Sequence, residues 1–181
     1  MNKLLEAINL ASFWHKDQKR KVDKTPYIAH PIAVGMILQS ITDNENIVVA
    51  GILHDILEDT KIEQEIIKNK FNPDVLNYVI SVTEDKSITD WRIRKENYIK
   101  AIENEIHNVK LISAADKYHN LYTLLNDLEA YGDTIWENFK RGKEQQCWYY
   151  QALYNIYNAD SEINQLKIIT EMKVLIDNIF K

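Results

Sequence analysis

The chain has 181 residues, 45% of them hydrophobic and 27% charged, with a formal net charge of −5. That is enough for one well-cored domain and short for two, and the acidic balance argues against nucleic acid, which needs a basic face, while leaving room for a local anion pocket. A single cysteine, Cys147, excludes an intramolecular disulfide or a multi-thiolate zinc site, and no apolar run reaches the length of a membrane span.

Only four Gly and three Pro are present, few turn signals for a β-rich fold. Leu4, Leu5, Ile8, Ala11 and His15 share one face of a first helix reaching about His15. With Glu6 inside it and no cleavage site, this N-terminus does not read as a signal peptide, and a cytoplasmic protein is the expectation. A basic connection, KDQKRKVDKTPYIAH, follows, and Pro31 suits the first position of a second helix, leaving His30 at its mouth. Asp43 or Asn44 can cap a third helix running through Leu57, apolar all around and therefore central. Thr60 and Glu63 have capping-box spacing for a fourth helix, and Asn72–Pro73 opens a fifth. After the polar segment TEDKSITD come a charged helix from Trp91 to about Ile106 and a long helix ended at Gly132. Two or three further helices complete the chain, broken at FKRGK and capped by Asp160 or Ser161. The expectation is all-α: one compact domain over residues 1–181, with a core at 4–125 and C-terminal helices at 133–181.

The stretch GILHDILEDT places His54, Asp55, Glu58 and Asp59 at the end of the most apolar helix. Four-residue spacing stacks His54 with Glu58 and Asp55 with Asp59. Isolated buried charges cost several kcal/mol, roughly, and are tolerated when paired or neutralised by a cation. A divalent metal accounts for His54 and Asp55, since imidazole with carboxylate suits Mn, Fe, Zn or Ni. The competing reading is a helix end whose charges emerge into solvent. His30 could add a ligand. Asp116 and Asn120 share a stripe with Ile112, and Ala114 and Ala115 would allow close approach of that helix. Gly35 and Gly51 inside helices point to close helix contact.

Taken in order, His30, the His54–Asp55 pair and Asp116 resemble the H…HD…D signature of the HD phosphohydrolase superfamily. TPYIAHP, LHDILEDT, VTEDK, RKENY and AADKYHNL resemble the hydrolase domain of SpoT/RelA proteins and the small alarmone hydrolases. The resemblance implies an HD-domain helical bundle with one Mn²⁺, or another transition ion, on His30, His54, Asp55 and Asp116. It implies removal of the 3′-pyrophosphate of (p)ppGpp, giving GDP or GTP and pyrophosphate. Glu58 and Asp59 match the family's acidic pair that positions or deprotonates water. Arg20 and Lys21 match its phosphate-receiving basic pair, Asn120 a pocket residue, and Arg94–Lys95 a recurrent basic pair. The VDK connection is one residue shorter than the family pattern. The chain ends too early for a synthetase domain, so hydrolysis alone is expected. Alternatives are a hydrolase for another nucleotide, such as NADPH or a nucleoside phosphate, and an antitoxin that binds an alarmone-synthetase toxin. A homo-oligomer is compatible with either.

Overall fold

The computed structural model describes residues 2–181, so Met1, the first residue of the expected domain, lies outside the described residues. The Asn2 side chain caps α1 (Lys3–Trp14), accepting from the Leu4 N–H at 2.8 Å. A loop follows, pinched by one isolated antiparallel bridge between Lys19 and Pro26. Its backbone is tied by Arg20 N–H to the Thr25 carbonyl and Tyr27 N–H to the Gln18 carbonyl, both at 2.9 Å.

The second helix, α2 (Ala29–Gln39), begins two residues before Pro31. His30 therefore sits inside the first helical turn, where Pro31 is tolerated because an N–H there would lack an intrahelical acceptor. Asn44 caps α3 (Glu45–Leu53), in which every residue from Ile47 to Leu53 is buried. The helix anticipated through Leu57 is instead interrupted at His54–Asp55 and resumes as the single turn α4 (Ile56–Asp59). The His54 ring bonds the Gly51 carbonyl at 2.8 Å, a side-chain contact that competes with regular helix hydrogen bonding.

The expected capping box does not form. Thr60 closes α4, its hydroxyl donating to the Ile56 carbonyl at 2.6 Å, and Glu63 precedes α5 (Gln64–Lys70). Asn72 caps α6 (Pro73–Val82) by accepting from the Val75 N–H at 2.9 Å. Asp90 caps α7 (Trp91–Glu103), which stops short of Ile106. The long α8 (His107–Tyr131) ends at Gly132, whose φ of 63° is the left-handed conformation glycine favours. A 3₁₀ segment (Gly132–Asn138) leads through Phe139–Arg141 to α9 (Gly142–Ala159). Asp160 ends α9 rather than opening the next helix, and α10 (Lys167–Ile179) starts after a turn.

The regular secondary structure of the described residues is thus all helical apart from that bridge, as the composition implied, and no helix among them is long and apolar enough to cross a membrane. At the centre α2 packs on α3 through two glycines. A Cβ on Gly35 would lie 2.4 Å from Ile52 Cγ1, and one on Gly51 2.2 Å from Leu38 Cδ1. Only glycine permits this approach, and it brings the start of α2 and the end of α3 against α8.

Candidate active site

Three buried side chains from separate elements meet in the core: His30 from α2, His54 from the end of α3, and Asp116 from α8. His30 Nε2 lies 3.2 Å from His54 Nε2 and 3.1 Å from Asp116 Oδ1. Asp55 Oδ2 is 2.9 Å from His54 Nε2 and 3.6 Å from His30 Nε2, and Asp116 Oδ1 is 3.6 Å from His54 Nε2. In an unbroken helix adjacent side chains diverge by about 100°. The interruption at His54–Asp55 is what accompanies their convergence on one point.

These separations fit a shared cation. Ligands about 2.1 Å from one ion lie about 3.0–3.4 Å from one another in octahedral or tetrahedral arrangements. The donor chemistry fits as well. Contact of His54 Nδ1 with the Gly51 carbonyl makes that nitrogen the donor, so Nε2 is the ring atom that faces the cluster. Burial would lower the pKa of His54, but the carboxylates of Asp55 and Asp116 outweigh it and hold the pKa well above the usual 6.5. The centre of the cluster therefore stabilises positive charge. Asp116 resists the upward push of burial because Lys117 and His54 stand beside it, and its carboxyl is held well below the usual range.

Further side chains fix this cluster. Asn120 donates to Asp116 Oδ1 at 2.5 Å and Lys117 to Oδ2 at 2.5 Å. The Tyr27 hydroxyl donates to Asp55 Oδ2 at 2.5 Å. His119 Nδ1 is 2.8 Å from His30 Nδ1, a contact that orients the His30 ring. The sequence suggested Lys117 only as an ion-pair partner for Asp116, a pair the structure contains, and assigned no role to Tyr27 or His119. The signal available was proximity, since Tyr27 lies one helical turn before His30 and His119 one turn after Asp116.

Glu58 and Asp59 stand at the edge of the cluster, both linked to Lys86, with Glu58 Oε1 3.4 Å from its ammonium. Glu58 Oε2 accepts from the Glu84 backbone N–H at 3.1 Å. Burial, reinforced by the charges of Asp55 and Glu84, raises the Glu58 pKa above 4.5. Glu84 lies within the string VTEDK that carries the family resemblance, in a loop read otherwise as polar, and was given no role of its own. It is buried, and its carboxylate accepts from Lys95 at 2.5 Å, Arg94 at 3.2 Å and the Tyr149 hydroxyl at 3.3 Å. Arg94 and Lys95 are thereby held on the wall of a cavity of about 800 Å³ that also reaches Asp55, Glu58 and Asp116.

Arg20 and Lys21 line the same cavity. The Arg20 guanidinium donates to Asn120 Oδ1 and Thr123 Oγ1, each at 3.0 Å, so Asn120 links the basic loop to the buried cluster. Lys21 is exposed, with its ammonium 5.9 Å from the centre of the Phe139 ring. Gln18 donates to the Asp59 carbonyl at 2.8 Å, tying the loop to the acidic turn. All eleven residues singled out in the sequence thus border this cavity or the cluster beside it.

Residues 7–141 match the family model for the HD domain. The chain is 34% identical over 170 residues to the guanosine-3′,5′-bis(diphosphate) 3′-pyrophosphohydrolase MESH1 of Drosophila melanogaster, covering 92% of this chain and 90% of that protein. It is 41% identical over 125 residues to MESH1 of Xenopus tropicalis, covering 67% and 69%. Its structure resembles that of a metazoan ortholog of SpoT that hydrolyzes ppGpp, with a TM-score of 0.78, 29% identity, and coverage of 99% of this chain and 94% of that one. Lmo0812 from Listeria monocytogenes matches with a TM-score of 0.77 and 33% identity over 83% of this chain and 98% of its own.

Proposed function

The chain belongs to the HD-domain family, and from that premise we propose that it hydrolyses the 3′-pyrophosphate of (p)ppGpp, releasing GDP or GTP and pyrophosphate. The observation that carries this reading is a buried His30–His54–Asp116 cluster, with the part-exposed Asp55 carboxylate 2.9 Å from His54, beside a cavity lined by Arg20, Lys21, Arg94 and Lys95. A cavity of about 800 Å³ accommodates a nucleotide, and its two pairs of basic residues suit one with two polyphosphate groups. The relatives that share this fold over most of the chain are (p)ppGpp 3′-pyrophosphohydrolases, which supports the assignment.

In this reading His30, His54, Asp55 and Asp116 hold one divalent ion, Mn²⁺ in our assignment. Bound there, the ion supplies a Lewis acid for a phosphoryl oxygen and lowers the pKa of a water molecule. Glu58 accepts the proton of the attacking water, and its raised pKa suits a carboxylate acting as general base. The Glu84 N–H holds one Glu58 oxygen, leaving the other, shared with Lys86, toward the reaction. Asp59, also linked to Lys86, completes the acidic pair. Water oxygen bonds to phosphorus as its proton passes to Glu58, and the bond to ribose O3′ breaks. O3′ takes up a proton to leave as the 3′-hydroxyl of GDP or GTP, with Arg94 and Lys95 lining the same cavity. Arg20 and Lys21 receive phosphate oxygens. Asn120, committed to Asp116 and Arg20, positions both.

The test is ppGpp turnover by purified protein supplied in turn with Mn²⁺, other divalent ions and a chelator, with GTP and NADPH as competing substrates. Release of pyrophosphate from ppGpp, abolished by the chelator and restored by Mn²⁺, is expected. Undiminished turnover after metal removal, or a faster reaction with NADPH, would contradict the assignment.

A further inference from the structure

One turn apart on α9, Gln146 and Tyr150 are each only 9% exposed, and both line the cavity. The Gln146 amide and the Tyr150 hydroxyl meet no hydrogen-bond partner from the described residues. They are also not sealed off, since the one fully enclosed, unpartnered side-chain atom among those residues is His15 Nε2. Their helical neighbour Tyr149 differs, because its hydroxyl is engaged by Glu84 at 3.3 Å. Buried polar groups in native proteins are almost always paired, and two unpaired ones facing the same cavity from the same helix face call for a ligand that pairs them.

We propose that Gln146 and Tyr150 are substrate-contacting residues: Tyr150 donates to an oxygen of the ribose–phosphate segment beside the reacting phosphorus, and Gln146 holds the nucleoside farther along α9. The inference rests on the alarmone reading and adds to it a wall of the site that neither the acidic pair nor the basic residues supply. Burial raises the Tyr150 pKa to about 12, with Lys117 and Arg20 pulling it down and Asp116 and Glu84 pushing it up, so the phenol is a neutral hydrogen-bond donor. Gln146 stands one turn nearer the start of α9, where Asn138 and Phe139 border the same cavity. An amide offers both a donor and an acceptor, the pair needed to discriminate a nucleobase or a sugar edge. The sequence departs here from any metal or acid motif, which is why the pattern of chemistry-bearing residues did not reveal it.

The experiment compares wild-type protein with Tyr150→Phe, which deletes only the hydroxyl, and Gln146→Met, which keeps an unbranched chain of similar length. Thermal unfolding without ligand and steady-state kinetics with ppGpp are measured on each. Because neither polar group has a partner in the protein, Tm should stay at or above the wild-type value in both variants. Tyr150→Phe should lower kcat/KM about tenfold, the loss of one hydrogen bond to a charged acceptor. Gln146→Met should raise KM about threefold to tenfold with kcat retained, the signature of binding energy used equally before and during the reaction. Wild-type kinetics in both variants would overturn the inference and leave the alarmone reading standing. A fall in Tm matching the fall in activity would overturn it in favour of a packing role. Absence of ppGpp turnover in the wild-type protein would overturn the alarmone reading itself and this inference with it.

Discussion

Gly35→Ala adds one methyl group where α2 and α3 touch, and its consequence follows from the neighbours. The new Cβ would meet Ile52 Cγ1 at 2.4 Å and Cδ1 at 3.0 Å. Ile52 is buried and β-branched, so its Cγ1 cannot swing aside without leaving its rotamer. Overpacking of this kind costs about 1–3 kcal/mol. An approach of 2.4 Å to a branched, buried side chain belongs in the upper part of that range, about 2–3 kcal/mol. Alanine's better helix propensity returns about 1 kcal/mol. The net loss is therefore about 1–2 kcal/mol, or about 2–8 °C in Tm for a domain of this size. The strain falls between His30, five residues before Gly35, and His54, two residues after Ile52, so the affinity of the proposed metal centre for a divalent ion should fall with stability. Thermal unfolding of Gly35→Ala, Ile52→Ala and the double variant tests the reasoning. With the Ile52 side chain removed, the added methyl should cost nothing or stabilise, giving a clear coupling energy between the two positions. An equal loss in both backgrounds, or no loss in the wild-type background, would refute it.

Glu58→Gln keeps the shape and the Glu84 hydrogen bond but cannot take a proton. It should lower kcat by about 10²–10⁴ with Tm retained, as steady-state kinetics and circular dichroism would show. Glu84 carries a pH signature. Burial pushes its pKa up, but Lys95, Lys117 and Arg94 prevail and hold it below 4.5 in the folded protein. Its contribution to stability is therefore fully present above pH 4.5 and is lost as pH falls through the depressed folded value. Denaturant titrations at several pH values should find the advantage of the wild-type protein over Glu84→Gln shrinking on acidification below 4.5. A constant difference across that range would contradict the assignment.

Much of the site was legible because its chemistry is concentrated in short strings. Charged residues in an apolar helix signalled His54 and Asp55, and the stripe of Asp116 and Asn120 followed from helical spacing alone. Gly35 and Gly51 likewise announced the close contact of α2 and α3 that the structure contains. The break at His54–Asp55 was not legible, since the only glycine in that run, Gly51, is accounted for by its close contact with Leu38, and the interruption arises from a tertiary demand on both side chains. Thr60 and Glu63 had the spacing of a capping box, yet Thr60 serves the preceding turn, a choice that depends on where α4 stops. Glu84 and His119 lie inside the strings VTEDK and AADKYHNL, yet neither was given a role of its own, for a shared reason. Each is defined by what it faces across the fold, and local pattern holds no information about partners 10 to 89 positions away.

The measurement closest to the central claim is chromatography of the products formed from ppGpp by Mn²⁺-loaded wild-type protein and by Asp55→Ala. Asp55 touches both buried imidazole rings of the cluster and accepts the Tyr27 hydroxyl, so its carboxylate bears directly on the proposed metal centre. The wild-type protein should yield GDP and pyrophosphate in equal amounts, and the variant should yield neither while remaining folded. Product formation by Asp55→Ala at the wild-type rate, or none by the wild-type protein with Mn²⁺ bound, would contradict the account.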